Sequence, residues 1–257
     1  MKLKMTSHIT LGLAGIACLT MSSSASVIFD QIAPADEMLE GPHWLFASQA
    51  MAGGSRSEIS SVAVDDFEVK EGQNVLTQID ALMGAIDAGG FGGLSSYPPF
   101  LDVVPSITGW SVQIYSSKDA AIQSADHGLT GDVASLAISS DQVSIETDHE
   151  WNEQQIGPVD DYLGLVSIDL GEVLLPAGQY WIAVVGEKET QQPLLMVHGS
   201  PKHDGPGESD SAFLVAHTGQ VIEGYTNLSY RIHAIPAPGA MTLLGLAGVI
   251  STRRRRG

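Results

Sequence analysis

The sequence predicts an all-β fold, an antiparallel β-sandwich of jelly-roll-like type. Three observations indicate it: apolar and polar residues alternate with period two in several short segments, turn-forming residues separate these segments at fairly even spacing, and helical periodicity is scarce. Many short strands bury their apolar faces when two sheets pack against each other. The roughly 210 residues between the two chain ends suit one such domain, which we place at 26–234.

The first clear strand pattern begins at residue 60. Residues 60–69 are predicted as a strand, followed by a turn at 71–73 and a second strand at 75–81. Within the first strand, the apolar residues change register after residue 64. We therefore expect a bulge or bend at Asp65-Asp66, because one extra residue would shift the pairing there.

Residues 110–115 alternate regularly and predict a half-buried strand. One face carries the apolar side chains of Trp110, Val112 and Ile114. The other face carries Ser111, Gln113 and Tyr115.

The later strands are separated by turn residues. Residues 163–170 and 174–185 are rich in apolar side chains, with a turn supplied by 176–178, and we expect both segments to be central in their sheets. Three further segments are predicted as the closing strands: 194–197, 212–216 and 225–232.

Two segments are predicted as irregular surface loops. Residues 86–99 hold four glycines and two prolines, but no phosphate-binding lysine motif follows them. Residues 198–210 are polar and contain His198, His203 and Asp204, which are candidates to meet at a metal ion. Their spacing matches no common zinc arrangement, so the sequence does not identify a metal site.

The densest group of titratable residues is Asp148, His149 and Glu150, beside Trp151. An exposed Trp with flanking polar groups is a candidate platform for stacking against a sugar ring. A glycosidase would instead need two carboxylates facing each other across the sugar, roughly 5 to 9.5 Å apart, which neighbouring loop residues rarely provide. A solvated loop whose Trp packs onto the domain is the structural alternative.

The domain is strongly acidic. All thirty Asp and Glu residues lie between Asp30 and Glu223, and the domain at 26–234 contains only six basic residues, which leaves a formal net charge of about −24. Such a charge repels nucleic acid and favours cations, Ca²⁺ included. Asp65 and Asp66 are candidate cation ligands, although a solvated strand edge explains them equally well. No loop has the calcium-binding D-x-[DN]-x-[DN]-G pattern, and solubility outside the cell accounts for the dispersed acids.

The N-terminus has the pattern of a secretory signal peptide at 1–25. Lys2 and Lys4 precede an uncharged run at 9–21, and small residues at 22–25 suit cleavage by signal peptidase after Ala25. Cys18 is the only cysteine of the chain, and Gly15 stands where a lipoprotein signal would have a large aliphatic residue. The mature domain would therefore contain no disulfide.

The C-terminal residues 235–257 have three parts. An uncharged segment lies at 239–250. The proline motif at its start consists of Pro236, Ala237, Pro238 and Gly239. The basic cluster after it consists of Arg253, Arg254, Arg255 and Arg256. As a helix the twelve uncharged residues would extend only about 18 Å, less than the ~30 Å hydrocarbon layer, which suits a transient anchor. The arginines would stay on the cytoplasmic side.

This tail resembles the PEP-CTERM sorting signal that exosortase-type enzymes process in Gram-negative bacteria exporting extracellular polysaccharide. Here Ala237 occupies the usual glutamate position. The resemblance implies export, transient anchoring in the inner membrane by a short apolar helix, and then display at the cell surface or release. In addition, 64–69 and 175–184 look like segments of exported bacterial sandwich domains that often carry such tails, which implies a fold more than an activity.

Two functions are consistent with these features. The first is a non-enzymatic surface or extracellular-matrix protein without a cofactor, which binds polysaccharide or cations. The second is a surface glycan hydrolase, with the acidic cluster around His149 as its candidate site. No nucleophile-elbow or zinc-protease motif is present.

Overall fold

A computed structural model describes the chain at residues 24–34, 45–51, 60–87, 97–147, 162–190, 193–202, 204, 212–224 and 226–236. Strands dominate these residues, which confirms the all-β prediction. The strands are β1 (Ser26–Asp30), β2 (Leu45–Ala47), β3 (Gln49–Met51), β4 (Ser61–Val69), β5 (Val75–Ile86), β6 (Ile107–Tyr115), β7 (Ala134–Ile138), β8 (Val143–Glu146), β9 (Leu163–Leu174), β10 (Gly178–Lys188), β11 (Leu194–Ser200), β12 (Phe213–Ala216), β13 (Val221–Glu223), β14 (Asn227–Leu228) and β15 (Tyr230–Ile235). The helices are short: α1 (Phe100–Val103), α2 (Lys118–Gln123) and the 3-10 turns Val104–Ser106, Ser124–His127 and Ser140–Gln142.

The strands form two sheets. The first has the order β1-β15-β5-β11-β14, with β2 also on β11 and with β9 between β5 and β8. The second has the order β13-β12-β4-β3-β10-β6-β7, and β4 also pairs directly with β10. Between the described strands, β3 and β10 pair in parallel and the other pairs are antiparallel, as predicted.

Both sheets contribute to one hydrophobic core. Ile79 of the first sheet and Phe67 of the second belong to the same cluster of buried side chains. Phe29 of β1 meets the Phe67 ring edge to face, with ring centroids 6.3 Å apart. Large aromatic side chains thus fill the space between the sheets and bury much apolar area.

Strand β4 is regularly paired at Asp65-Asp66, where the sequence predicts a bulge or bend. Its pairing with β10 runs without a shift from Val69 opposite Gly178 to Asp65 opposite Ile182. The bulge prediction is wrong because both faces of this strand are covered. Val62 packs on one face and Ala63 on the other, so apolar residues in both registers need no break between them.

The other predicted segments are mostly longer than expected. Strand β5 continues to Ile86, and β9 and β10 each have neighbours on both sides, as expected of central strands. The turn at 175–177 connects a strand of the first sheet to one of the second. Strand β11 continues to Ser200, so the predicted loop at 198–210 begins too early and His198 lies in a strand.

The second sheet is also covered on its outer face. Ser117 caps α2 by accepting a hydrogen bond from Ala120 N at 3.0 Å. Ala121 of this helix belongs to the same buried cluster as Tyr115 and Val185. Strand β6 is therefore buried on both faces at its end, not half-buried as its alternation predicts. The helix covers only part of the sheet, and a groove lies beside it.

Candidate functional site

Asp65 lies between the two sheets, and its side chain is 0% exposed. Its Oδ1 accepts from Asp66 N at 2.9 Å, and its Oδ2 accepts from Leu228 N of the first sheet at 2.7 Å. Gln31, with its amide nitrogen facing two acceptors, donates to Asp65 Oδ2 at 2.8 Å and to Leu228 O at 2.9 Å. Three N–H groups thus converge on one buried carboxylate and join the sheets.

Asp66 is also buried, at 1% exposed, but its side chain points to the opposite face of β4. Its Oδ2 accepts from Gln179 Nε2 of β10 at 2.9 Å. The structure therefore places both aspartates inside the protein rather than at a solvated strand edge. It does not bring the two carboxylates together at one site.

Tyr230 forms a second polar link between the sheets. Its hydroxyl accepts from Val184 N and donates to Ala63 O, both at 3.3 Å. Burial raises the pKa of Tyr230 far above its usual value, and the nearby negative charge of Asp65 adds to the effect. The hydroxyl therefore stays protonated and keeps its donor role.

The remaining predicted site residues are placed as follows. Asp148, His149, Glu150 and Trp151 lie outside the described residues, as do His203 and the sorting-signal residues after Pro236, which directly follows β15. His198 is buried in β11, whereas Asp204 accepts from Asp30 N at 2.8 Å. Within the described ranges, no group of three or more His, Cys, Asp or Glu side chains is arranged to hold a metal ion.

A network of charged side chains lies on the outer face of the first sheet. Arg231 Nε and Lys202 Nζ contact the two oxygens of Asp30 at 3.2 and 3.1 Å. Arg231 also faces Asp80, whose Oδ2 lies 3.0 Å from His233 Nε2. Burial raises the pKa of the Asp30 carboxyl group. The hydrogen bond from Lys202, the positive charges of Arg231 and Lys202, and the hydrogen bond from Ile32 N lower it by more. The pKa of Asp30 therefore lies below its usual value.

The outer face of the second sheet carries a groove of about 420 Å³, called here the cross-strand groove. Its described lining comes from five neighbouring strands and the segments next to them: Ala50, Ser60, Val62, Ser111, Gln113, Ala125, Gly128, Leu129, Thr130, Ser135, Ala137, Val185, Glu187 and His217. At about 4.8 Å per strand spacing, β4, β3, β10, β6 and β7 give the groove a length of roughly 19 Å across the strands.

The groove wall contains a non-glycine residue with positive φ. Leu129 has φ of 62°, a conformation that costs about 1 to 2 kcal/mol for a residue with a Cβ. Two hydrogen bonds hold it: its N–H donates to Ser124 O at 2.7 Å, and its carbonyl accepts from Tyr115 Oη at 3.0 Å. Burial raises the pKa of Tyr115 to about 12, so this hydroxyl remains a donor at neutral pH.

Sequence reasoning did not identify Glu187 or His217 as site residues. The alternation at 110–115 placed Ser111 and Gln113 on one face but gave no reason to assign them a function. Only the order of the strands brings these four residues to one groove, since Glu187 is on β10 and His217 follows β12.

None of the helices in the described residues is both apolar enough and long enough to cross a membrane. No family model, no curated protein and no solved structure matches the chain.

Proposed function

We propose that the chain is an exported, exosortase-sorted protein of the cell surface or extracellular matrix, without enzymatic activity, that binds polysaccharide through its β domain. The observation that carries this proposal is the three-part C-terminal tail of proline motif, short uncharged segment and four arginines. A signal-peptide pattern at the other end of the chain supports the same route.

The domain in this proposal is a β-sandwich of jelly-roll-like type. Its support is the core shared by the two sheets and the polar contacts of Asp65 and Tyr230 from one sheet to the other. A rigid domain of this kind presents its outer sheet faces and loops to ligands.

The groove supports binding rather than hydrolysis. Among the described residues that line it, Glu187 is the single carboxylate, whereas glycoside hydrolysis generally uses two carboxylates on either side of the bond. The four hydroxyl side chains and one amide in the lining suit hydrogen bonding to a hydroxyl-rich ligand.

Processing of the chain termini tests the sorting part of the proposal. The full chain would be expressed in an exosortase-positive host and in a matched deletion strain, and the termini in each cell fraction would be measured by mass spectrometry. We expect the N-terminus to begin after Ala25 in both hosts. Loss of the tail near Pro236-Ala237-Pro238 is expected only in the positive host.

A variant with Arg253 to Arg256 replaced by serine provides the control, since it removes the basic cluster and leaves the ectodomain unchanged. It should remain unprocessed in the positive host. An intact tail in both hosts for the unmodified chain would contradict sorting, and turnover of any member of a polysaccharide panel would contradict the non-enzymatic role.

A further inference from the structure

We propose that the cross-strand groove binds an extended saccharide chain bearing free amines, of the glucosamine type. Glu187 would contact an ammonium group, and Ser111 and Gln113 would contact sugar hydroxyls. This inference deepens the proposed function and rests on it for the polysaccharide class of the ligand. The chemistry of the groove selects the amine-bearing member of that class.

The direction of the groove indicates a chain-like ligand. Val185, Ser111 and Ala137 follow one another across β10, β6 and β7, because Val185 pairs with Ser111 and Ser111 with Ala137. On the other side of β10, Ala50 of β3 and Val62 of β4 continue the lining, so that it crosses five strands. The groove thus extends roughly 19 Å across the strands, long enough for several linked sugar units.

Two polar side chains are deeply set in this groove. Ser111 is 8% exposed and Gln113 is 6% exposed. Gln113 Oε1 accepts from Gly131 N at 2.9 Å, which fixes the orientation of the amide. Among the described residues, neither Gln113 Nε2 nor Ser111 Oγ has a hydrogen-bond partner. Neither atom is among the fully buried side-chain atoms that lack a partner in the described residues, so both open onto the groove, where they can hydrogen-bond to a hydroxyl-rich ligand.

Two further groups present acceptors. Glu187 is the only carboxylate in the described lining, which contains no Lys or Arg. His217 Nδ1 lies 3.2 Å from Ser60 O, and since a carbonyl only accepts, Nδ1 carries the proton. In the tautomer with its proton on Nδ1, the acceptor of the ring is Nε2. An ammonium group, which only donates, complements both.

The position of Glu187 depends on its neighbour across the sheet. Glu187 pairs with Gly109, and a Cβ added at Gly109 would lie 3.0 Å from Glu187 Oε2. Because Gly109 has no side chain, the Glu187 carboxylate can lie over β6 at this position.

The charge of the whole domain, about −24, also favours a cationic ligand over a polyanion.

Isothermal titration of the purified full chain tests the inference with three oligosaccharides. The probes are a glucosamine tetramer, the N-acetylglucosamine tetramer as its uncharged counterpart, and a uronic-acid tetramer as an anionic control. We expect the glucosamine tetramer to bind most tightly and the uronic-acid tetramer not to bind. Glu187→Gln should weaken glucosamine binding by about tenfold or more and remove the preference over the N-acetylated form.

Glu172→Gln is the matched control, because it removes the same charge from an exposed position on β9 of the first sheet, outside the groove. It should leave the affinity within about twofold, because exposed charges are largely screened. Ser111→Ala should weaken binding severalfold without lowering the midpoint of urea unfolding, since that hydroxyl has no partner among the described residues. This variant separates a binding role from a structural one.

Equal affinity for the charged and acetylated tetramers, no binding of either, or an unchanged affinity in Glu187→Gln would overturn the inference. The titration does not depend on sorting. A chain that is processed by exosortase but binds no glucosamine tetramer would refute the ligand assignment alone. An unprocessed chain that binds it would refute the sorting proposal alone.

Discussion

Replacing Asp65 with alanine should destabilise the protein more than most single substitutions. The change removes a fully buried carboxylate and leaves Leu228 N, Asp66 N and the Gln31 amide without this acceptor. An unsatisfied buried donor costs about 1 to 3 kcal/mol, so three of them, with some relaxation, predict a loss of about 3 to 5 kcal/mol. This is a large share of the ~5 to 15 kcal/mol that stabilises a typical domain.

Urea unfolding followed by tryptophan fluorescence, to which Trp110 and Trp181 contribute, measures this loss. With a slope near 3 kcal/mol/M, expected for a domain of this size, the midpoint should fall by roughly 1 to 2 M while the slope is unchanged. Asp65→Asn should lose less, about 1 to 3 kcal/mol, because the amide oxygen can still accept from one side.

Glu68→Gln in the same strand is the control for charge, since Glu68 is exposed. It should change the stability by no more than about 0.5 kcal/mol. If Asp65→Ala were as stable as Glu68→Gln, the convergence of three donors on Asp65 would not hold the sheets together, and the reasoning would be refuted.

Three further predictions concern other contacts. The pKa of Asp30 is held below its usual value of 3.8, so its contribution to stability is present above pH 3.8 and is lost as the pH falls through the lower, folded-state pKa. The difference in unfolding free energy between wild type and Asp30→Asn should therefore shrink below about pH 4, and a constant difference from pH 6 to pH 2 would exclude this linkage. Tyr230→Phe should cost about 1 to 2 kcal/mol in urea unfolding, because two buried hydrogen bonds are lost, and an unchanged midpoint would argue against them. Gly131→Ala should lower the thermal midpoint, with a cost of about 2 kcal/mol or more, because its Cβ would lie 2.2 Å from Ala134 O. Gly178→Ala, whose Cβ would meet no atom closer than 3.7 Å, should be nearly neutral, and equal effects at both sites would contradict the packing.

Strand β4 illustrates why the sequence located strands better than it described them. Alternation correctly predicted an extended segment at 60–69, but it treated the change of apolar register as a bend. On the outer face of β4, Val62 and Val64 belong to one buried cluster with Phe213 and Val215 of the neighbouring strand and with Ala121 of α2, and these partners are distant in sequence. A local pattern contains no information about such cover.

The groove shows the same limit for the candidate site. Alternation placed Ser111 and Gln113 on one face of β6, which the structure confirms. Neither residue type is rare or clustered in the sequence, and Glu187 and His217 are 70 or more positions away along the chain. Pairing of β10 with β6 and the position of His217 beside β4 bring them together.

The sequence by itself determined the β class of the fold, the acidic charge of the domain and the signal-like patterns at both ends. These features depend on composition and on short-range periodicity, which need no knowledge of neighbours in space. Only the tertiary structure decided that Asp65 and Asp66 are buried on opposite faces and that a polar groove crosses the second sheet. Burial and shared sites depend on which strands pair and which segments cover them, and those contacts join residues that are far apart in sequence.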